Sequence, residues 1–333
     1  MNEKGGQKRT IAIGKRQFAL LVLFMFLLGS ASLVAFVYAR LGDEYAQNRS
    51  TSITGRPQFL HSIPSTGERV LSKPLSVAVA GKNVYVADSA NGNLAIFTKK
   101  GSLVRSIKLL KGAKAYPMGI AVDDRGRIYI SLEAGGFYHI MVVDGYGRFQ
   151  YVFPDDLISA KDRQPILNRP VGLFYREGKL YVTDVGDQDV KVFSTDGRLL
   201  TRFGRPGNKS GEFMFPHGIA ADENEIYVVD SNNSRVQVFD SRGRFKYFFQ
   251  PAKKNPLVIP RGIAIDSLNR VHVVDLAQQK VFVFTKEGKF LLDYGFGRGA
   301  GRLSFPNGIS IDKDAGLIYI ADRLKDRIAV FSE

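Results

Sequence analysis

An all-β fold, a six-bladed β-propeller built from four-stranded blades in a ring, is predicted by three observations. A short phrase recurs through the chain: Pro117-Met118-Gly119-Ile120, Pro170-Val171-Gly172-Leu173, Pro216-His217-Gly218-Ile219, Pro260-Arg261-Gly262-Ile263 and Pro306-Asn307-Gly308-Ile309, with Pro74-Leu75-Ser76-Val77 as a degraded copy. Successive prolines stand 43, 53, 46, 44 and 46 residues apart, and a period of about 40–50 residues of strand-like sequence marks a radial β-array. Finally, the apolar residues after residue 40 alternate with period two, with no stretch holding helical spacing over three turns.

The repeat opened by Pro216 shows how one unit is built. Ile219–Asp222, Glu225–Asp230, Arg235–Asp240 and Phe245–Phe249 are four short runs rich in Val, Ile, Tyr and Phe, separated by Asp, Asn and Gly. Such runs predict an antiparallel meander, one blade. The last repeat reaches only its third strand, Ile328–Phe331, whereas Pro57–Ile63 precedes the first repeat without a partner. That segment is expected to supply the missing outer strand and latch the ring.

Ahead of the array, residues 17–39 carry no charge and are almost continuously apolar. About 20 helical residues cross a hydrocarbon core of roughly 30 Å, so a single N-terminal transmembrane helix is expected. A cleaved signal peptide ending near Val37-Tyr38-Ala39 is the competing reading. Five bases and one acid in residues 1–16 form a short basic tail and hold the N-terminus in the cytoplasm. Residues 40–54 then form a linker, and 55–333 the propeller, on the outer side of a cell membrane. The net charge of +15 suits a protein or anionic cell-surface ligand, and this topology argues against nucleic acid. With no cysteine, thiolate metal sites and thiol catalysis are excluded.

The units resemble the NHL repeat, whose pattern runs P-x-G-I-A-V-D, then G-x-I-Y-V-A-D, then N-x-R-V-Q-V-F. Matching residues include Ile128–Ile130, Leu180–Asp184, Val271–Asp275 and Ile318–Asp322, and the Gly-Phe linkers Phe203-Gly204 to Phe213 and Tyr294-Gly295 to Leu303. The resemblance spans roughly residues 55–333 and implies a six-bladed NHL propeller. It implies no single activity, because that family includes enzymes, sensors and scaffolds.

In such a ring the residues between Pro and Gly surround the top mouth of the central channel: Leu75, Met118, Val171, His217, Arg261 and Asn307. Met118, His217, Arg261 and Asn307 are the ligand-binding candidates there. Asp88, Asp184, Asp230, Asp275 and Asp322 recur at the end of the second strand, with Ser131 standing in for the carboxylate of the second blade. They are expected to accept N–H bonds in the following turn or to pair with bases five residues on. Those bases, Arg235, Lys280 and Arg327, complete the candidate set.

The four histidines, His61, His139, His217 and His272, make no zinc pattern, and no phosphate loop or nucleophile elbow occurs. The glycine-dense 204–207 and 295–299 read as blade-to-blade turns, and the polar stretch 155–163 as an insertion. Asn48, Asn208 and Asn232 fit the glycosylation pattern. The expected function is therefore a binding scaffold or sensor module working through its top face, without catalytic residues or cofactor. A membrane-tethered hydrolase or lyase with a divalent metal in the central channel is the alternative.

Overall fold

The computed structural model describes residues 55–65, 70–154, 166–249 and 256–333. The anchor at 17–39, the linker at 40–54 and the insertion at 155–163 lie outside the described residues. Within these residues only two short 3₁₀ turns, Ser231–Asn233 and Arg323–Lys325, interrupt an otherwise all-β chain, and no helix is long and apolar enough to cross a membrane.

The strands form six separate four-stranded sheets. Counting from the centre outward, blade 1 holds β2 (Ser76–Ala80), β3 (Asn83–Asp88), β4 (Asn93–Thr98) and β5 (Leu103–Lys108). Blade 2 holds β6 (Tyr116–Val122), β7 (Ile128–Ala134), β8 (Phe137–Val143) and β9 (Phe149–Phe153). Blade 3 follows with β10 (Pro170–Arg176), β11 (Lys179–Asp184), β12 (Asp189–Ser194) and β13 (Leu199–Phe203), and blade 4 with β14 (Pro216–Ala221), β15 (Glu225–Asp230), β16 (Arg235–Asp240) and β17 (Phe245–Phe248). Blade 5 comprises β18 (Pro260–Ile265), β19 (Val271–Asp275), β20 (Lys280–Phe284) and β21 (Phe290–Tyr294). Blade 6 is composite. Its inner strands are β22 (Pro306–Asp312), β23 (Leu317–Asp322) and β24 (Arg327–Ser332), and its outer strand is β1 (Phe59–Ile63).

Each blade packs both faces against neighbours, so its middle strands are buried on either side: β15 and β19 are buried along their whole length. The result is six apolar clusters, each drawn from two adjacent blades. A row of blades with free ends would have one seam fewer than blades, so six seams close the ring. The closing seam joins Tyr319, Ile328 and Val330 of blade 6 to Val84, Val86 and Phe97 of blade 1. β1 sits beside it. It pairs antiparallel with β24 in the register Phe59 to Phe331, His61 to Val330 and Ile63 to Ile328. Ile63 is fully buried in the closing seam, and the Phe59 and Phe331 rings meet edge to face at 5.7 Å.

The Pro-x-Gly phrase turns out to be a bulge. The pairing of first and second strands slips at Met118 in blade 2 and across the x and Gly residues in blades 3 to 6, and a bulge of this kind re-aims a side chain. Blade 1, with Ser76 where the others have Gly, keeps an unbroken register. The glycine is required for space. A Cβ on Gly119, Gly172, Gly218, Gly262 or Gly308 would stand 2.1, 1.9, 2.3, 2.4 or 2.8 Å from the carbonyl oxygen of Val171, His217, Arg261, Asn307 or Leu75, one blade on. Ser131 and Thr183 reinforce two of these junctions. Each hydroxyl accepts from the glycine N–H of its own blade, at 2.9 Å, and donates to the next blade's x carbonyl, at 2.7 and 2.6 Å.

That register corrects one sequence expectation. Pro117 faces Leu132, as Pro170 faces Asp184. Leu132, not Ser131, therefore occupies the carboxylate position of blade 2, and Ser131 is the counterpart of Thr183.

Candidate functional site

The six first strands enclose a cavity of about 410 Å³. All six residues between Pro and Gly or Ser line it: Leu75, Met118, Val171, His217, Arg261 and Asn307. Below them the wall is built from apolar residues such as Val77, Ile120, Leu173, Ile219 and Ile263. Its charged lining is one-signed. Arg261, Arg176 and Lys313 face the cavity, and among the described residues no Asp or Glu does.

The mouth is most elaborate at blades 4 to 6. Phe215, just before Pro216, adopts the left-handed region at φ 63°, a strained conformation for a bulky residue, at a cost of order 1–3 kcal/mol. Its N–H donates to Gln188 Oε1 at 2.5 Å. The ring stacks on His217 at 6.3 Å and 25° and carries the Arg261 guanidinium 5.1 Å from its centre. Burial, followed by repulsion from Arg323, pushes the Arg261 pKa down to about 10. Burial and the Arg261 charge together hold the His217 imidazole well below its usual range, so it is neutral at pH 7 and keeps one donor and one acceptor.

Arg235, Lys280 and Arg327 are not part of this cavity. Arg235 donates from Nε to Asp230 Oδ2 at 2.8 Å and from its terminal nitrogens to the carbonyls of Asn208, Lys209 and Glu212 at 2.7–2.9 Å. Arg327 binds Asp322 at 2.8 Å, Arg302 O at 2.9 Å and Ser62 Oγ of the latch strand at 2.9 Å. Lys280 reaches Asp293 at 3.0 Å rather than the aspartate five residues before it. Arg235 and Arg327 tie strands to interblade connections, while Lys280 joins β20 to β21 and lies 5.6 Å from the Phe296 ring.

The second-strand aspartates do related work, chiefly on the connection that enters their own blade. Asp88 accepts from Ser72 N at 2.7 Å, Asp184 from Asn168 N and Arg169 N at 2.8 Å, Asp230 from Met214 N at 2.7 Å, Asp275 from Val258 N at 2.6 Å and Asp322 from Ser304 N at 2.6 Å. Four of them also serve the following turn, Asp184 and Asp275 accepting from Gly186 N and Gln278 N at 3.0 Å, and Asp88 and Asp230 from the side-chain amides of Asn91 and Asn233 at 2.9 and 2.8 Å.

One cluster escaped the sequence reading. Asp184, Asp187 and Asp189 bring three carboxylates within 4.8 Å of one another, as a cation site would. The protein supplies the cation: Lys191 Nζ donates to all three at 2.8–2.9 Å, and its side chain is 1% exposed. Attraction to these acids outweighs the desolvation of the ammonium and raises its pKa.

His272 and His61 are bonded into the fold. His272 is fully buried, its ring nitrogens 3.0 Å from Tyr294 Oη and Asp266 Oδ2, and His61 Nε2 lies 3.3 Å from Lys99 O. Burial lowers the pKa of His139 and His272 as well as that of His217. The unfolded chain therefore binds these protons first, near its value of 6.5. Folding free energy is fully present above that pH and declines as pH falls below it, by up to about 1.4 kcal/mol per pH unit for each histidine. Urea midpoints compared between pH 7.5 and 5.5 will fall for the native chain and fall less for His217→Asn; equal slopes would contradict this assignment.

The fold and cavity together define a closed six-bladed propeller with a cation-lined axial channel. A sequence profile of the 6-bladed beta-propeller family matches residues 166–249 and 250–332, half of the chain, and the chain belongs to that family. Over 119 residues, 36% of this chain, it is 25% identical to Protein brain tumor of Drosophila melanogaster, and it spans only 12% of that protein's length. Among solved structures it is similar to a streptogramin B lyase, with a TM-score of 0.58 and 15% identity over 83% of this chain and 96% of that one. Virginiamycin B lyase from Staphylococcus aureus gives 0.54 and 15% over 84% and 99%. A catalytically inactive form of the S. aureus enzyme with quinupristin gives 0.56 and 14% over 83% and 100%. At these identities the likeness is one of fold.

Proposed function

We propose that this chain is a binding module: an NHL-type propeller held at a membrane by residues 17–39, whose channel mouth receives an extracytoplasmic ligand or partner. The observation that carries this reading is the convergence of all six x residues on one cavity that, among the described residues, holds a single imidazole and no carboxylate. Acid–base chemistry needs a second titratable group within reach of the first, and a divalent ion needs anionic or several neutral ligands. His217 instead has Arg261 for a neighbour, which opposes both a proton and a metal ion. The described channel residues thus fit recognition better than a metal-dependent hydrolase or lyase.

Photo-crosslinking in intact cells tests it. A photoreactive residue at Met118, in the mouth, is expected to give adducts several-fold above one at Arg242, in the turn between β16 and β17. Filling the mouth with Val171→Trp should abolish them. Equal labelling from both positions, or adducts indifferent to the plug, would sink the proposal.

A further inference from the structure

The mouth is lopsided, and its basic side has unmet demand. Arg261 Nε and Arg323 Nε are both buried without a hydrogen-bond partner among the described residues. They belong to adjacent blades, Arg261 to β18 and Arg323 to the 3₁₀ turn that leaves β23, close enough for the Arg323 charge to count against that of Arg261. A guanidinium has five N–H donors and loses stability when these are desolvated unpaired. Arg235 and Arg327 show the alternative in this same molecule, each bonded to an aspartate and to main-chain carbonyls. Two arginines whose Nε atoms bond to no acid, one of them over the strained Phe215 ring and offset only by the charge of buried Asp275, do nothing for the fold that accounts for them.

We propose that Arg261 and Arg323 form an anion clamp for the carboxylate or phosphate head of a small organic molecule whose apolar body enters the channel. Paired guanidinium groups match the oxygens of either head, by parallel N–H bonds. His217 and Asn307, beside Arg261 on the cavity wall, offer further donors. The cavity of about 410 Å³ falls within the range of about 300–1,000 Å³ typical of small-molecule sites, and its lower wall of Val, Ile and Leu suits an uncharged body. Because Arg261 lies on the wall of a bore and not along an exposed stripe, a polyanion has no track to follow. This assignment rests on the reading of the mouth as the ligand site and specifies the chemistry it would take.

Calorimetry on the full chain in neutral detergent tests it with four probes: benzoate, phenyl phosphate, benzylammonium and inorganic phosphate. One molecule of benzoate or phenyl phosphate is expected to bind per chain, and the stronger of the two identifies the head group. Benzylammonium, the same body with opposite charge, should not bind, and inorganic phosphate should bind more weakly for lack of a body. Arg261→Gln and Arg323→Gln should each weaken binding by about tenfold or more while leaving the thermal midpoint unchanged or higher, since each relieves a repulsion. Arg235→Gln should lower the midpoint and leave binding intact. Failure of both anions to bind, binding of benzylammonium, or arginine variants that lose stability but keep affinity would each overturn the clamp. If neither anion binds while Met118 still crosslinks, the clamp fails and the binding-module reading survives. Anion binding by a chain whose mouth gives no adducts would have the opposite meaning.

Discussion

Replacing Lys191 with Met lowers the folding free energy by about 3–5 kcal/mol, the usual cost of removing one partner from a buried charge cluster. Met keeps most of the lysine's length and apolar stem, so the substitution deletes charge and little volume. It leaves Asp184, Asp187 and Asp189 within 4.8 Å of one another with Arg202 alone to offset them, at Asp189 and, at 3.2 Å, at Asp187. Urea unfolding of native chain and variant side by side gives the difference. The loss should also narrow on acidification. Burial already raises the folded-state pKa of Asp189, and loss of the ammonium raises it further, so the variant gains protons on folding and recovers as pH falls towards about 4. A midpoint equal to that of the native chain at pH 7 would show that the cluster is not the buried network described above.

A chain beginning at residue 66 loses about 3 kcal/mol or more, because it strips β24 of its partner and removes two apolar side chains worth about 1.5–3 kcal/mol each when buried. Ile63 leaves the seam between blades 6 and 1, and Phe59 leaves Phe331. Arg327 also loses Ser62 and the Phe59 ring on which it lies. Cleavage by protease follows the population of open molecules, so the shortened chain should be cut at far lower protease concentrations. Equal resistance would mean that the ring holds without its outer strand.

The architecture was legible because it is written several times over. Five of the six blades carry the bulge phrase, five the second-strand Tyr and five the terminal aspartate, and this repetition places all six x residues at one mouth without any knowledge of side-chain contacts. What lay beyond sequence was whatever depends on direction. Lys191 sits in a Val-Lys-Val alternation that reads as a solvent-facing position, yet a middle strand of a propeller blade has a neighbour on each face and no face to water. The recurrence of Arg235, Lys280 and Arg327 was plain, but only the path of the interblade connections reveals that they point into seams and not at the mouth. Arg323 had no signal at all: it follows Asp322 where the other blades place Ser89, Val185, Ser231 and Leu276, and its partner Arg261 lies sixty-two positions earlier.

The contact between each bulge glycine and the next blade's carbonyl sets the bore by main chain against main chain. Side chains at the x positions can then be exchanged without changing the gauge of the hub, as Leu, Met, Val, His, Arg and Asn already coexist there. Selectivity and mechanical integrity are decoupled in such a design: the wheel can be given a new cargo by rewriting a handful of spokes' tips, while any residue larger than glycine at the neighbouring position of blades 2 to 6 would force the rim out of true.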